Sequence, residues 1–324
     1  MSGALISVTV LLLSSLAVLG IVVVVAAILL TRGRRSTRAD PNATPPAAVA
    51  LLQAARRKAI FAIAFASTVC LVLFMTGIAA QGLLGLPFLL AAPIASAAGL
   101  LLYTATRPTL YAFGPEEVRR ASLTPRRPTA YMSLRTVAGP LTVLVALIVF
   151  VVFAGMTASL DDLGLSRAVS FATESRSSRS SPYAGWFYGI PLLASCAVLA
   201  AATAAALWRI STAPALPSGS LVGIDSAWRR ETLKIVSAIS VFAMALPLGG
   251  AAVVSGMSTL NAFFEGVHEA WQATGIGLMT GGAVLIIAAF VSVALATRRA
   301  IALPSKSITA ARNAELLPTA RGDL

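Results

Sequence analysis

Glu265, His268 and Glu269 are the residues of this chain best placed by type and spacing to do chemistry. On a helix, positions i, i+3 and i+4 are neighbours on one face. Two carboxylates would then flank the single imidazole of the 324-residue chain. Such a trio could bind a divalent ion or sense pH, with Asp161 and Asp162 of another loop as further donors. The plainer reading is a solvated polar face. Cys70 and Cys196 both lie inside apolar runs and read as small buried hydrophobes. One His and two Cys cannot furnish a closed zinc site, a haem pair or an iron–sulfur cluster, so no cofactor is expected.

Other catalytic patterns fail on residue type. Glu116-Glu117-Val118-Arg119-Arg120 is one residue short of the Glu-Glu-x-x-x-Arg spacing of intramembrane prenyl-protein proteases, and it lies in a loop. A Ser/His dyad within the membrane lacks its His, and the last apolar stretch has no Lys for a Schiff base.

The elements that must position these residues are membrane spans. Hydrophobic residues make up 57% of the chain and charged residues 11%, with a mean hydropathy of +0.86. A soluble domain carries about 25% charged residues. Seven stretches reach the roughly 20 apolar residues that a bilayer requires. They run Ala4 to Leu30, Ala59 to Ala80, Leu83 to Tyr103, Val137 to Thr157, Phe187 to Trp208, Ile235 to Gly256 and Ala273 to Thr297. None contains a charged residue, which argues against a proton relay or ion path. The first stretch has no basic residue before it and Arg32, Arg34 and Arg35 after it, the reverse of a secretory signal.

The expected fold is therefore an all-α integral membrane bundle of seven transmembrane helices, one leading helix plus three hairpins. Of 25 Lys and Arg, 22 fall in segments 32–58, 104–135, 209–234 and 298–324. Basic residues are retained on the cytoplasmic side of short connections, so the predicted topology is N-out and C-in. In these terms 1–31 is the first span, 32–58 a basic linker, 59–103 the first hairpin and 104–135 a basic loop. The second hairpin is 136–208 with external loop 158–186, followed by cytoplasmic loop 209–234. The third is 235–297, followed by the basic tail 298–324. The four tryptophans, Trp186, Trp208, Trp228 and Trp271, fall at the predicted interfaces. Similar Arg-containing runs at 118–123 and 228–233 are compatible with duplication of a hairpin or with ordinary basic inner ends.

Three finer expectations concern the outer connections. Leu260, Phe263, Phe264, Val267 and Trp271 share one helical face, predicting an interfacial helix over 258–271 that lies flat on the outer leaflet. Ser159 followed by Asp162 suggests a capped short helix over 160–172. The serine- and arginine-rich run 175–181 reads as a loop.

Glycine and proline form a second constellation within the spans. Pro93 and Ser96 in the third span, with Pro247, Gly249 and Gly250 in the sixth, could mark a broken helix whose freed carbonyls line a solute path. Gly277 and Gly281 form a small-xxx-small pair suited to close helix packing, which is also the simpler reading of the other glycines.

The expected function is a non-catalytic subunit or scaffold of a membrane complex. The alternative is a permease or channel for a weakly polar or lipid-like solute, with an enzyme third. Expected partners are the bilayer, anionic lipid at the basic cytoplasmic face and a protein of the same complex; nucleic acid is not among them. Expected location is the plasma or inner membrane of a bacterial cell.

Overall fold

The structure is a computed structural model, and it describes residues 46–105, 131, 133–213 and 222–316. The predicted first span, the linker over 32–45 and most of the 104–135 loop lie outside the described residues. Within them are six helices long and apolar enough to cross a membrane. These are α1 (Pro46–Ala79), α2 (Leu86–Ala105), α3 (Leu134–Thr157), α4 (Trp186–Thr212), α5 (Val222–Ala262) and α6 (Ala270–Leu316). They form three antiparallel hairpins, α1–α2, α3–α4 and α5–α6, whose connections all lie at the same end of the bundle.

The helices outrun the apolar stretches because hydropathy registers only the lipid-soluble part of each. At 1.5 Å per residue the 41 residues of α5 span about 61 Å, twice the hydrocarbon thickness. Its first four turns carry Asp225, Arg229, Arg230, Glu231 and Lys234.

Helices α2, α4 and α5 fill the interior, contributing Leu100, Leu192, Cys196, Leu199, Met244 and Leu248 to one continuous core. The other three present apolar side chains outward, including Phe61 and Val72 of α1, Leu141, Val145 and Val149 of α3, and Val284, Ile287 and Val291 of α6. In a lipid solvent such exposure carries no penalty, so helix association must rest on close packing and internal polar contacts.

The closest packing is between α5 and α6. A Cβ on Gly249 would lie 2.7 Å from the Gly282 carbonyl oxygen, and one on Gly256 would lie 2.6 Å from that of Gly275. Both pairs are seven residues apart, and the small-residue spacing continues along α6 through buried Ala289 and Ala296. A seven-residue repeat keeps the seam facing its partner only if the two helices coil left-handedly around each other. The expected packing pair is displaced by this arrangement. Gly277 and Gly281 face open space, because they lie on the other side of α6 from Gly275 and Gly282.

The outer connections differ from expectation in three ways. The segment expected as a helix over 160–172 is a sheet. Strands β1 (Ser159–Leu160), β2 (Ser166–Ala172) and β3 (Ser177–Ser180) form an antiparallel meander in the order β1-β2-β3. Val169 and Phe171 on β2 turn inward while Ser170 and Ala172 are exposed, the period-two pattern of a half-buried strand. The 175–181 run is likewise not a loop throughout, since Ser177 pairs with Ala172 and Ser180 with Val169. Finally, the helix expected over 258–271 does not form. Residues 258–262 continue α5, and 263–269 make a turn in which Gly266 takes φ +97°. The apolar residues of that segment do converge, but under the sheet: Phe264 joins the core, with Val267 and Trp271 packed against it.

Candidate functional site

The sheet end is a folded cap that ties the three hairpins together. Trp271 at the start of α6 packs on Phe171 of β2 with ring centroids 5.2 Å apart. The Arg176 guanidinium stands over the Phe264 ring at 4.8 Å. From α5, buried Ser255 accepts a hydrogen bond from the Ala184 amide at 3.0 Å. The Tyr183 and Thr157 hydroxyls are 2.6 Å apart, joining the segment before α4 to the end of α3. Tyr188 donates to the Leu84 carbonyl at 2.7 Å, attaching α4 to the α1–α2 turn.

Asp161 organises the first turn of this cap. One carboxylate oxygen accepts the Leu163 and Leu165 amides at 2.9 and 2.8 Å, and the other pairs with Arg167. Between the Ser159 and Asp162 that suggest a helix cap, it is Asp161 that acts, closing a turn on its own backbone as aspartate does. Desolvation acts to raise the Asp161 pKa, but the amides of Leu165 and Leu163 and the Arg167 guanidinium together hold it below the usual carboxylate value. A carboxylate held low in the folded state stabilises it above the unfolded value of about 3.9, and that stabilisation is lost as pH falls through the folded value. Thermal unfolding of the reconstituted protein is therefore expected to fall more steeply with acidification below about pH 4 in the wild type than in Asp161→Asn. Equal pH slopes would remove this role for Asp161.

Glu265, His268 and Glu269 are exposed on the α5–α6 turn. Because this turn is not helical, their sequence spacing does not place them on one helical face. His268 Nδ1 accepts the Ala270 amide at 3.1 Å, so the imidazole serves the start of α6. Asp162 instead faces Arg179 at 3.1 Å. Among the described residues no group of three or more His, Cys, Asp or Glu could hold a metal ion.

The second constellation sits inside the bundle. Helix α5 runs unbroken through Pro247, Gly249 and Gly250, so the helix break weighed as the alternative to close packing does not occur there. Gly249 belongs to the seam with α6, whereas Gly250 has open space beside it. Pro93 and Ser96 are buried in a continuous α2. Between α4 and α5 the Thr203 and Ser240 hydroxyls lie 2.7 Å apart, and each is also within hydrogen-bond distance of a carbonyl one turn back, so one of the two can donate across while the other donates to its own helix.

The basic end holds groups whose pairing the sequence did not reveal. Arg229 is 1% exposed and meets Asp225 through two hydrogen bonds of 2.9 and 3.0 Å. A third guanidinium donor reaches the Ile210 carbonyl in the last turn of α4 at 2.7 Å. An arginine expected to mark orientation thus also fastens two helices. Its local signal was the i, i+4 Asp-to-Arg spacing within a helix.

Compared with known protein families, curated proteins and solved structures, the chain matches no family, no curated protein and no solved structure.

Proposed function

We propose that the protein is a non-catalytic subunit or scaffold of a membrane complex. The observation that supports this reading is the state of α5. This central helix is continuous and is fixed along its length by the hydrogen bond from Arg229 to the Ile210 carbonyl at the end of α4, by Thr203–Ser240, by the glycine seam to α6 and by Ser255 to the cap. A carrier needs two packings of comparable energy and an element that moves between them. A helix fastened at four levels favours one packing.

The proposal includes the finer topology. The basic end is the cytoplasmic one by the retention of Lys and Arg, and the apolar segment 4–30 adds a seventh span with the N-terminus outside. The membrane is then the plasma or inner membrane of a bacterial cell. The cap displays Glu174, Glu265 and Glu269 to a partner on the outer side, while the basic end attracts anionic lipid.

Native mass spectrometry of the protein taken from its own membrane in nanodiscs, at its natural level, tests this. A stoichiometric protein partner is the expected result. A lone chain or homo-oligomer that supports solute flux in proteoliposomes would replace the scaffold by the permease.

A further inference from the structure

We infer that the turn between β1 and β2, which carries Leu160 and Leu163, rests in the lipid leaflet at the cap end of the bundle, so that the cap grips the bilayer surface as well as the three hairpins. This placement is independent of the scaffold reading and of which side of the membrane the cap faces.

The level of the turn is fixed by its neighbours. Strand β1 starts at Ser159, two residues after the end of α3 at Thr157. Opposite it on β2, the Arg167 carbonyl accepts the Tyr183 amide at 2.8 Å, and the Ser166 carbonyl lies against Gly185, where a Cβ would not fit. Gly185 is the residue before α4, and Tyr183 is the residue whose hydroxyl meets Thr157. The turn therefore stands beside the last turn of α3 and the first turn of α4, where both spans leave the apolar layer. Trp186 marks that boundary. Its ring covers Gly155 of α3 yet stays partly exposed, as an indole at headgroup level does.

The side chains at this level form an apolar flank. Leu160 and Leu163 are 60% and 66% exposed, whereas Val169 and Phe171 of the same sheet turn into the core. At the same end Met156 of α3 and Ile190 of α4 are also exposed. Both belong to helices long and apolar enough to span the membrane, so lipid chains surround them. The turn leucines continue that lipid-facing surface past the helix ends. The other turn of the sheet is different in kind: Glu174, Ser175 and Arg176, between β2 and β3, are exposed and polar. One small sheet thus has a turn made for water and a turn that is not.

The backbone of the apolar turn is prepared for water-poor surroundings. The Leu163 and Leu165 amides donate to Asp161 Oδ1, the Gly164 amide donates to the Asp161 carbonyl at 3.0 Å, and the Asp161 amide donates to the Leu165 carbonyl at 2.9 Å. Four donors are satisfied within the turn, so little is lost when water leaves them. Asp162 limits the depth, because its fully exposed carboxylate, facing Arg179, belongs at headgroup level. The leucines are then expected about 5–10 Å into the boundary between headgroups and chains.

The test places a fluorophore at Leu163→Cys, or at Glu174→Cys as the control, in the full chain carrying Cys70→Ala/Cys196→Ala and reconstituted alone in phosphatidylcholine liposomes. Lipid brominated near the headgroup end of its chains is expected to quench the label at 163 about threefold more than at 174. In the unsubstituted protein, phosphatidylcholine with a photoactivatable group at the same depth should cross-link to 160–165 and spare 173–177. Equal quenching at the two positions would overturn the inference. So would quenching at 163 without cross-links in the unsubstituted protein, since the label would then have drawn the turn into lipid. A position 163 open to aqueous quenchers in liposomes but shielded in the native membrane would also overturn it, and would give the patch to a protein partner.

Discussion

Gly282→Ala is expected to destabilise the bundle by about 1–3 kcal/mol, while Gly281→Ala, one residue away, leaves it unchanged or slightly more stable. At Gly282 a Cβ would lie 2.6 Å from the Gly249 carbonyl oxygen and 2.9 Å from the Val253 amide nitrogen. Both are backbone atoms, so relief requires the two helices to part. Parting them is costly in lipid, because packing and weak Cα–H···O contacts hold the helices together without a hydrophobic drive. Gly281 has nothing within 4 Å of its Cβ position, and alanine there gains helix propensity. Gly256→Ala should behave like Gly282→Ala, since its Cβ meets the Gly275 carbonyl oxygen at 2.6 Å. Unfolding in mixed detergent micelles, followed for all four variants including Gly277→Ala, measures the difference. Equal losses at Gly281 and Gly282 would mean that the helices do not meet along this seam.

That contrast shows how far the sequence could be read. The six described spans were legible because hydropathy over 20 residues is a bulk property that no tertiary contact needs to supply. The seam was partly legible. All the glycines are visible in the sequence, but the i, i+4 spacing of Gly277 and Gly281 drew attention to the wrong side of α6. The stronger signal was a matched spacing on two helices, seven residues between Gly249 and Gly256 and seven between Gly275 and Gly282. The cap was misread because its signals are short. Ser159 and Asp162 imitate a helix start, yet Asp161 closes the turn, and the alternation around Val169 and Phe171 spans only a few residues. The segment around Phe264 was rightly seen as one-sided, but a periodic apolar face does not say whether lipid or a neighbouring sheet will cover it.

The basic end was legible only as charge. Counting Lys and Arg treats every cation alike, whereas their surroundings divide them. Arg230 is exposed, Lys58 sits on an aromatic ring and Arg229 is enclosed. Which of the three a given arginine becomes depends on where α4 ends relative to α5, and no local pattern records that distance.

Arg229→Ala should therefore cost far more than removal of the other basic residues of α5, about 3–5 kcal/mol. The reason is what remains behind. Asp225, 8% exposed, would keep its charge with no guanidinium to meet it, and the Ile210 carbonyl at the end of α4 would lose its donor. Leaving a buried charge unpaired is worse than never having buried the pair, so the double variant Asp225→Leu/Arg229→Met is expected to recover most of the loss. Arg230→Ala is expected to change stability by less than about 0.5 kcal/mol. These outcomes separate a fastening role from an orienting one. If Arg229 acted only through positive charge at the membrane surface, Arg229→Ala and Arg230→Ala would be equally mild, and Arg229→Lys would be neutral in unfolding measurements. A fastening arginine requires the planar fork that meets both Asp225 oxygens while a further nitrogen holds Ile210, so Arg229→Lys should lose much of the stability although the charge is kept.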